Sequence, residues 1–301
     1  MALETTDALA WIVVGLFAAS AVLATRDDYA RAARSVAAVS WVLFGVFWAL
    51  LVPHFWFAQK SVIETILVAA AVPGSLYVAY LVYGTRPSLM ILSRAVAAMG
   101  IIYLPVLTID GVGRALIAAT ARESAWLQNA LGYHPRVLTG PTMESSHTGF
   151  PHAFVYVVDG HRYLLEVLLA CTGIGSISLV AGVIIALRAP LRRRLLGLGI
   201  AVPVIYALNV VRVSFIAMAH GNQWFDGPLA HRIVAIVFSP TQSGVTSYYI
   251  ADRVIAQSLS VVALVALTIV LLRVLPELGT VVRDLLYLAT GTEYDVAGRA
   301  D

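Results

Sequence analysis

The chain has 301 residues, of which 60% are hydrophobic and only 12% charged, with a mean hydropathy of +0.85; such a composition excludes a soluble globular protein and leaves an integral membrane protein. The formal net charge of +3 is carried by arginines in short connections, where they serve membrane topology rather than nucleic-acid binding. A single cysteine excludes an internal disulfide and with it a paired-thiol redox relay.

A spanning helix needs about 20 mostly apolar residues, and seven runs reach that length: roughly 8–25, 36–57, 61–83, 90–109, 165–187, 195–219 and 249–272. The first lacks a basic leader and a small-residue cleavage site, so it is expected to be a retained helix. The predicted fold class is an all-α polytopic membrane protein of about seven transmembrane helices, with residues 1–301 as a single transmembrane domain. Arg26, Arg31 and Arg34 follow the first run, Arg86 the third, and Arg188, Arg192, Arg193 and Arg194 the fifth. These arginine-bearing connections are expected to be cytoplasmic. The alternate connection carries Lys60 alone and the N-terminus is acidic at Glu4 and Asp7, which puts the N-terminus outside and the C-terminus, with the tail 276–301, in the cytoplasm. That tail includes a short amphipathic piece over 281–288.

Residues 110–164, before the fifth run, are the longest non-membrane stretch and are read as a small extracellular cap. Apolar residues at helical spacing beside Arg114, Arg122 and Glu123 predict an interfacial helix over 113–130. Asp159-Gly160 divides two β-prone runs, a β-hairpin signal.

A charged side chain at the centre of a spanning helix costs ~2.5–3.5 kcal/mol on insertion scales, so each is a functional candidate. Arg212 lies well inside the sixth run and Arg253 opens the seventh, whereas Glu64 and Arg94 lie near span ends, where snorkelling accounts for them. With the orientation above and about 1.5 Å of rise per residue, Cys171 falls roughly 9 Å, Arg212 roughly 10 Å and Arg253 roughly 6 Å below the outer edge. Three antiparallel helices would thus bring a thiol and two guanidiniums to similar depth. Simpler readings stand beside this one. The cysteine can be a small packed hydrophobe, Arg212 a structural pin to a carbonyl or to Glu166, and Arg253 an interface anchor. Thr172, Gly173, Gly175 and Ser176 suit close helix packing. His231, with His147, His152, His161 and His220, is expected in outer loops facing water or headgroups. No pair of them has metal-ligand spacing, so neither metal nor cofactor is expected.

The segment Ala170-Cys-Thr-Gly-Ile-Gly-Ser176, followed in the next span by Asn209-Val-Val-Arg212, resembles the archaeosortase and exosortase family of membrane transpeptidases. The outer loop before the Cys segment, and Ser247-Tyr-Tyr-Ile-Ala-Asp-Arg253 opening the last span, are most similar to its haloarchaeal branch. The resemblance implies a sortase-like cysteine peptidase reaction on surface proteins that end in a Pro-Gly-Phe motif, a hydrophobic helix and a basic cluster. The enzyme would cut near the motif, form an acyl-thioester and pass the new C-terminus to a membrane lipid. It implies Cys171 as nucleophile and Arg212 as proton donor or thiolate activator. The bacterial branch has a His as third residue and the archaeal branch an Arg; this carries onto Arg253, as transition-state stabiliser, with His231 as the alternative. Asn209, one turn before Arg212, is placed to orient it.

Two other classes compete. A retinal protein needs a Schiff-base lysine in its last helix, and the one lysine is Lys60. A non-enzymatic transporter or anion-binding membrane protein, lined by Arg212 and Arg253, remains open and predicts that Cys171 is dispensable.

Overall fold

The computed structural model describes residues 2–58, 62–84, 86–142, 148–238 and 244–292; Lys60, His147 and the last nine residues of the tail lie outside them. In chain order the helices and strands are α1 (Ala2–Leu23), α2 (Ala30–Pro53), α3 (Val62–Tyr83), α4 (Met90–Thr108), α5 (Asp110–Ala130), β1 (Arg136–Leu138), β2 (Ala153–Val158), β3 (His161–Glu166), α6 (Ile174–Ala186), α7 (Leu191–Gly221), α8 (Pro228–Phe238), α9 (Thr246–Tyr249), α10 (Gln257–Val274) and α11 (Leu278–Thr290). Among the described residues, six helical stretches are long and apolar enough to cross a membrane: Thr6–Leu23, Asp27–Phe57, Thr65–Tyr83, Met90–Thr108, Leu191–Gly221 and Thr246–Val274. The protein is a multi-pass helical membrane protein with one small antiparallel sheet, ordered β1-β2-β3.

The chain forms two compact units, one of Met1–Thr108, Ser178–Gly199 and Leu271–Asp301, the other of Ile109–Ile177 and Ile200–Val270. In the first, apolar residues surround each helix because lipid, not water, is the solvent, so packing is decided by shape. Phe17 is fully buried against the edge of Trp41, 5.2 Å between rings, and the Trp41 indole donates to Ser93 Oγ at 2.9 Å. This satisfies two polar groups that lipid could not. At Gly182 a Cβ would sit 2.7 Å from the Ala95 carbonyl oxygen, so only glycine lets α6 approach α4 this closely.

In the second unit the amphipathic helix α5 lays Ile117, Ala121 and Ala125 against Phe154 and Tyr156 of β2 and Val213 and Ala217 of α7. The hairpin β2–β3 turns at Asp159 and Gly160, both with positive φ (51° and 78°), the backbone that a two-residue hairpin needs and that Asp-Gly favours. The short strand β1 was not foreseen; at three residues it carries no readable alternation. Helix α8 was not foreseen either, because Gly227-Pro228 reads as a turn, whereas Pro at a first helical position is compatible with a helix.

The run 165–187 departs from the continuous spanning helix expected of it. Leu165 and Glu166 belong to β3, Leu169–Thr172 form a 3-10 turn, Gly173 takes a left-handed φ of 75°, and only then does the 13-residue α6 begin. At about 1.5 Å per residue α6 is roughly 20 Å long, short of a bilayer core of about 30 Å. An uninterrupted apolar run does not disclose such a break, since β-strand, turn and buried helix are equally apolar here. In the tail, the amphipathic piece over 281–288 lies within α11.

Candidate active site

Cys171 therefore lies in a turn rather than within a spanning helix, and the depth estimate along a continuous helix does not apply to it. Its N–H donates to the Leu168 carbonyl at 2.9 Å, and its own carbonyl accepts Asn209 Nδ2 at 2.5 Å. The Asn209 side chain also lies over Gly173, where a Cβ would come within 3.1 Å of it. Asn209 thus holds the Cys171 turn; this hydrogen bond, not one to Arg212, is what its side chain makes among the described residues. The partly buried thiol packs against the cluster formed by α5, β2 and α7.

Burial pushes the Cys171 thiol up, while a backbone hydrogen bond from Leu168 and the nearby Arg212 charge draw it down and Asp252 raises it again. Burial prevails, because removing a thiolate from water costs more than one guanidinium across a partly wet gap restores.

Arg212 on α7 donates from Nη2 to Asp252 Oδ1 at 2.7 Å, and Arg253 Nε lies 3.6 Å from Asp252 Oδ2. One carboxylate thus sits between both guanidiniums. The Asp252 side chain is 11% exposed, that of Arg212 32% and that of Arg253 46%, so the acid is the buried pivot and Arg253 the accessible arm. Buried Nε of Arg212 has no hydrogen-bond partner among the described residues, which leaves a donor unused. The expectation that Arg212 pairs with Glu166 or a carbonyl is not met: Glu166 accepts from Thr142.

Asp252 and Arg253 occupy a π-helical turn, Ile250–Ala256, set between α9 and α10, whose last carbonyl geometry shows in the Gln257 N–H donating to Asp252 O. A π turn inserts one residue into the helix and is frequent at functional sites. Here it lets consecutive residues serve one cluster: Tyr248 feels the charges of Asp252, Arg253 and Cys171 together. Asp252 was missed from sequence, although an acid inside an apolar span was the available signal.

His231 is held elsewhere. Its Nε2 lies 2.7 Å from Asp226 Oδ1 and its Nδ1 2.9 Å from Thr246 Oγ1; with the proton on Nε2 it donates to Asp226 and accepts from Thr246. Two other histidines expected to face water are buried. His152 is fully buried and donates through Nδ1 to the Phe150 carbonyl, and His220, 7% exposed, is packed edge-on against Tyr163 and Tyr248. Their rings fill the core between hairpin and helix, which a sequence placing them near span ends does not reveal. Among the described residues no group of three His, Cys, Asp or Glu is arranged to hold a metal ion.

The family profile described as transmembrane exosortase matches residues 4–241. Archaeosortase A of Haloferax volcanii is 44% identical over 303 aligned residues, covering 97% of this chain and 96% of the relative, and archaeosortase A of Natronomonas pharaonis is 39% identical over 281, covering 93% and 88%. No solved structure matches.

Proposed function

Since this chain belongs to the transmembrane exosortase family, as a membrane enzyme with cysteine-dependent catalysis, we propose that it is a transpeptidase acting on surface proteins with a C-terminal Pro-Gly-Phe signal, hydrophobic helix and basic tail. The precursor's tail helix stays in the bilayer, so its cleavage point surfaces at the outer leaflet, where lipid headgroups also lie. The site is assigned to that leaflet, with residues 110–164 outside, the N-terminus outside and the C-terminus in the cytoplasm, a topology in which the short α6 makes the seventh crossing together with the turn before it.

In the reaction, the Cys171 thiolate attacks the scissile carbonyl and the carbonyl electrons move onto oxygen. Arg253, the exposed arm of the cluster, stabilises that oxyanion. The intermediate collapses with loss of the C–N bond, leaving an acyl-thioester on Cys171, and the departing amine takes a proton. The guanidinium of Arg212 does not give up its proton. It acts by its charge on the thiol, and the proton lost by Cys171 reaches the amine through water. A lipid nucleophile then attacks the thioester and gives up its proton to water, the C–S bond breaks, and the thiolate is restored.

The observation that carries this reading is the carboxylate-bridged pair of arginines, of which Arg212 acts by its charge on the only thiol of the chain. Expressing Cys171→Ala in a host lacking its own copy of the gene tests it. The surface precursor should keep its full C-terminus by mass spectrometry; processing identical to wild type sinks the assignment and favours the transporter alternative.

A further inference from the structure

The first unit contains a cavity of about 690 Å³ that plays no part in the chemistry above. Its polar lining is dominated by Arg26, Arg34, Arg94 and Arg188, which come from the α1–α2 turn, α2, α4 and the α6–α7 turn. Three acids share the lining, but two are engaged from outside it: Asp284 lies 3.9 Å from Arg86, and Glu277 2.8 Å from Arg193. That leaves four arginines against the exposed Asp27, and none of these five forms an ion pair among the described residues. Arg94 is the most constrained. Its Nε is buried without a hydrogen-bond partner among the described residues, and it feels the repulsive charge of Arg188.

Gathering like charges with a desolvated donor among them is unfavourable unless an anion sits there. The guanidinium fork offers two parallel N–H donors that match the oxygens of a phosphate, and several forks suit its charge better than that of one carboxylate. The remaining walls are apolar, including Ala33, Met90, Ile91 and Leu187, and the volume lies within the roughly 300–1,000 Å³ of small-molecule sites. We propose that this cavity binds the phosphate group of a phosphoester, with the attached chain or ring against the apolar wall. The phosphate can come from a membrane lipid or from a soluble phosphate.

The test uses the purified full-length protein in a neutral detergent, with binding followed by native mass spectrometry and thermal shift. The probes are dioleoyl phosphatidic acid, dioleoylglycerol as its phosphate-free counterpart, and inorganic phosphate. Phosphatidic acid binding well above dioleoylglycerol supports the proposal with a lipid source; inorganic phosphate binding as well as phosphatidic acid supports it with a soluble one. Arg188→Gln combined with Arg34→Gln, which keeps the buried Arg94 donor itself, should weaken binding about tenfold or more, the scale of one charge-assisted hydrogen bond. Arg94→Lys, which keeps the charge and loses the fork, should weaken it less than Arg94→Gln. Cys171→Ala should bind as wild type does. The proposal is overturned if neither phosphate probe binds, if dioleoylglycerol binds equally, if the arginine double variant binds like wild type, or if Cys171→Ala abolishes binding.

Discussion

Arg212 and Asp252, forty residues apart in sequence, are joined by a 2.7 Å charge-assisted hydrogen bond between α7 and the π turn. The same carboxylate reaches Arg253, so the separation of the two guanidiniums is set by one buried acid. Opposite charges of this kind are costly to bury and costlier to unpair.

Asp252→Asn is therefore expected to slow precursor processing by tenfold or more, about 1.4 kcal/mol of barrier, while preserving side-chain shape. The same substitution should lower the pH at which Cys171 is alkylated, because the Asp252 charge raises the thiol. A fall in processing together with an easier-to-ionise thiol distinguishes loss of arginine placement from loss of the nucleophile. Unchanged processing would show that the bridge is dispensable.

The thiol itself provides a pH prediction. Burial, the largest influence, raises it, so the alkylation rate should climb with pH through a midpoint above the ordinary thiol value of about 8.5. Arg212→Gln removes a charge that draws the thiol down, so its midpoint should move to still higher pH. A downward move would contradict the role assigned to Arg212.

Gly173→Ala tests the turn that presents Cys171. The residue has φ 75°, and its Cβ would come 3.1 Å from Asn209. The backbone cost is ~1–2 kcal/mol, and displacement of Asn209 loosens the Cys171 carbonyl as well. Processing should fall, with a lower melting temperature in detergent. Asn209→Ala should reproduce the activity loss without the backbone strain.

Arg253→Ala and His231→Ala distinguish the two candidates for the third catalytic residue. His231 is occupied by Asp226 and Thr246, whereas Arg253 shares Asp252 with Arg212. Arg253→Ala should abolish detectable processing and His231→Ala should leave most of it. The reverse pattern, in the same precursor assay, would transfer the role to His231.

Much of the molecule could be read before its coordinates. Apolar run length marked α1 to α4, α7 and α10 because the bilayer imposes one dimension on every spanning helix. Asp159-Gly160 marked the hairpin because few residue pairs tolerate two positive φ angles in succession. Arg212 and Arg253 stood out because charged groups are expensive in apolar runs, whereas Cys171 and Asn209 were singled out by the family resemblance of the segments that hold them. The break at Gly173 did not stand out, since glycine serves equally in a left-handed turn and in close helix packing.

By itself, then, the sequence determined the solvent this protein folds in, six of the stretches long and apolar enough to cross it and the few charged residues that need a reason to be there. These follow from transfer energies and helix rise, which act locally along the chain. Only the tertiary structure decided that the cysteine sits in a turn held by Asn209, that Asp252 bridges two arginines, and that His152 and His220 are core residues. Each of those depends on which segments meet in space, and hydrogen bonds or ion pairs between distant residues leave no periodic trace in the sequence that encodes them.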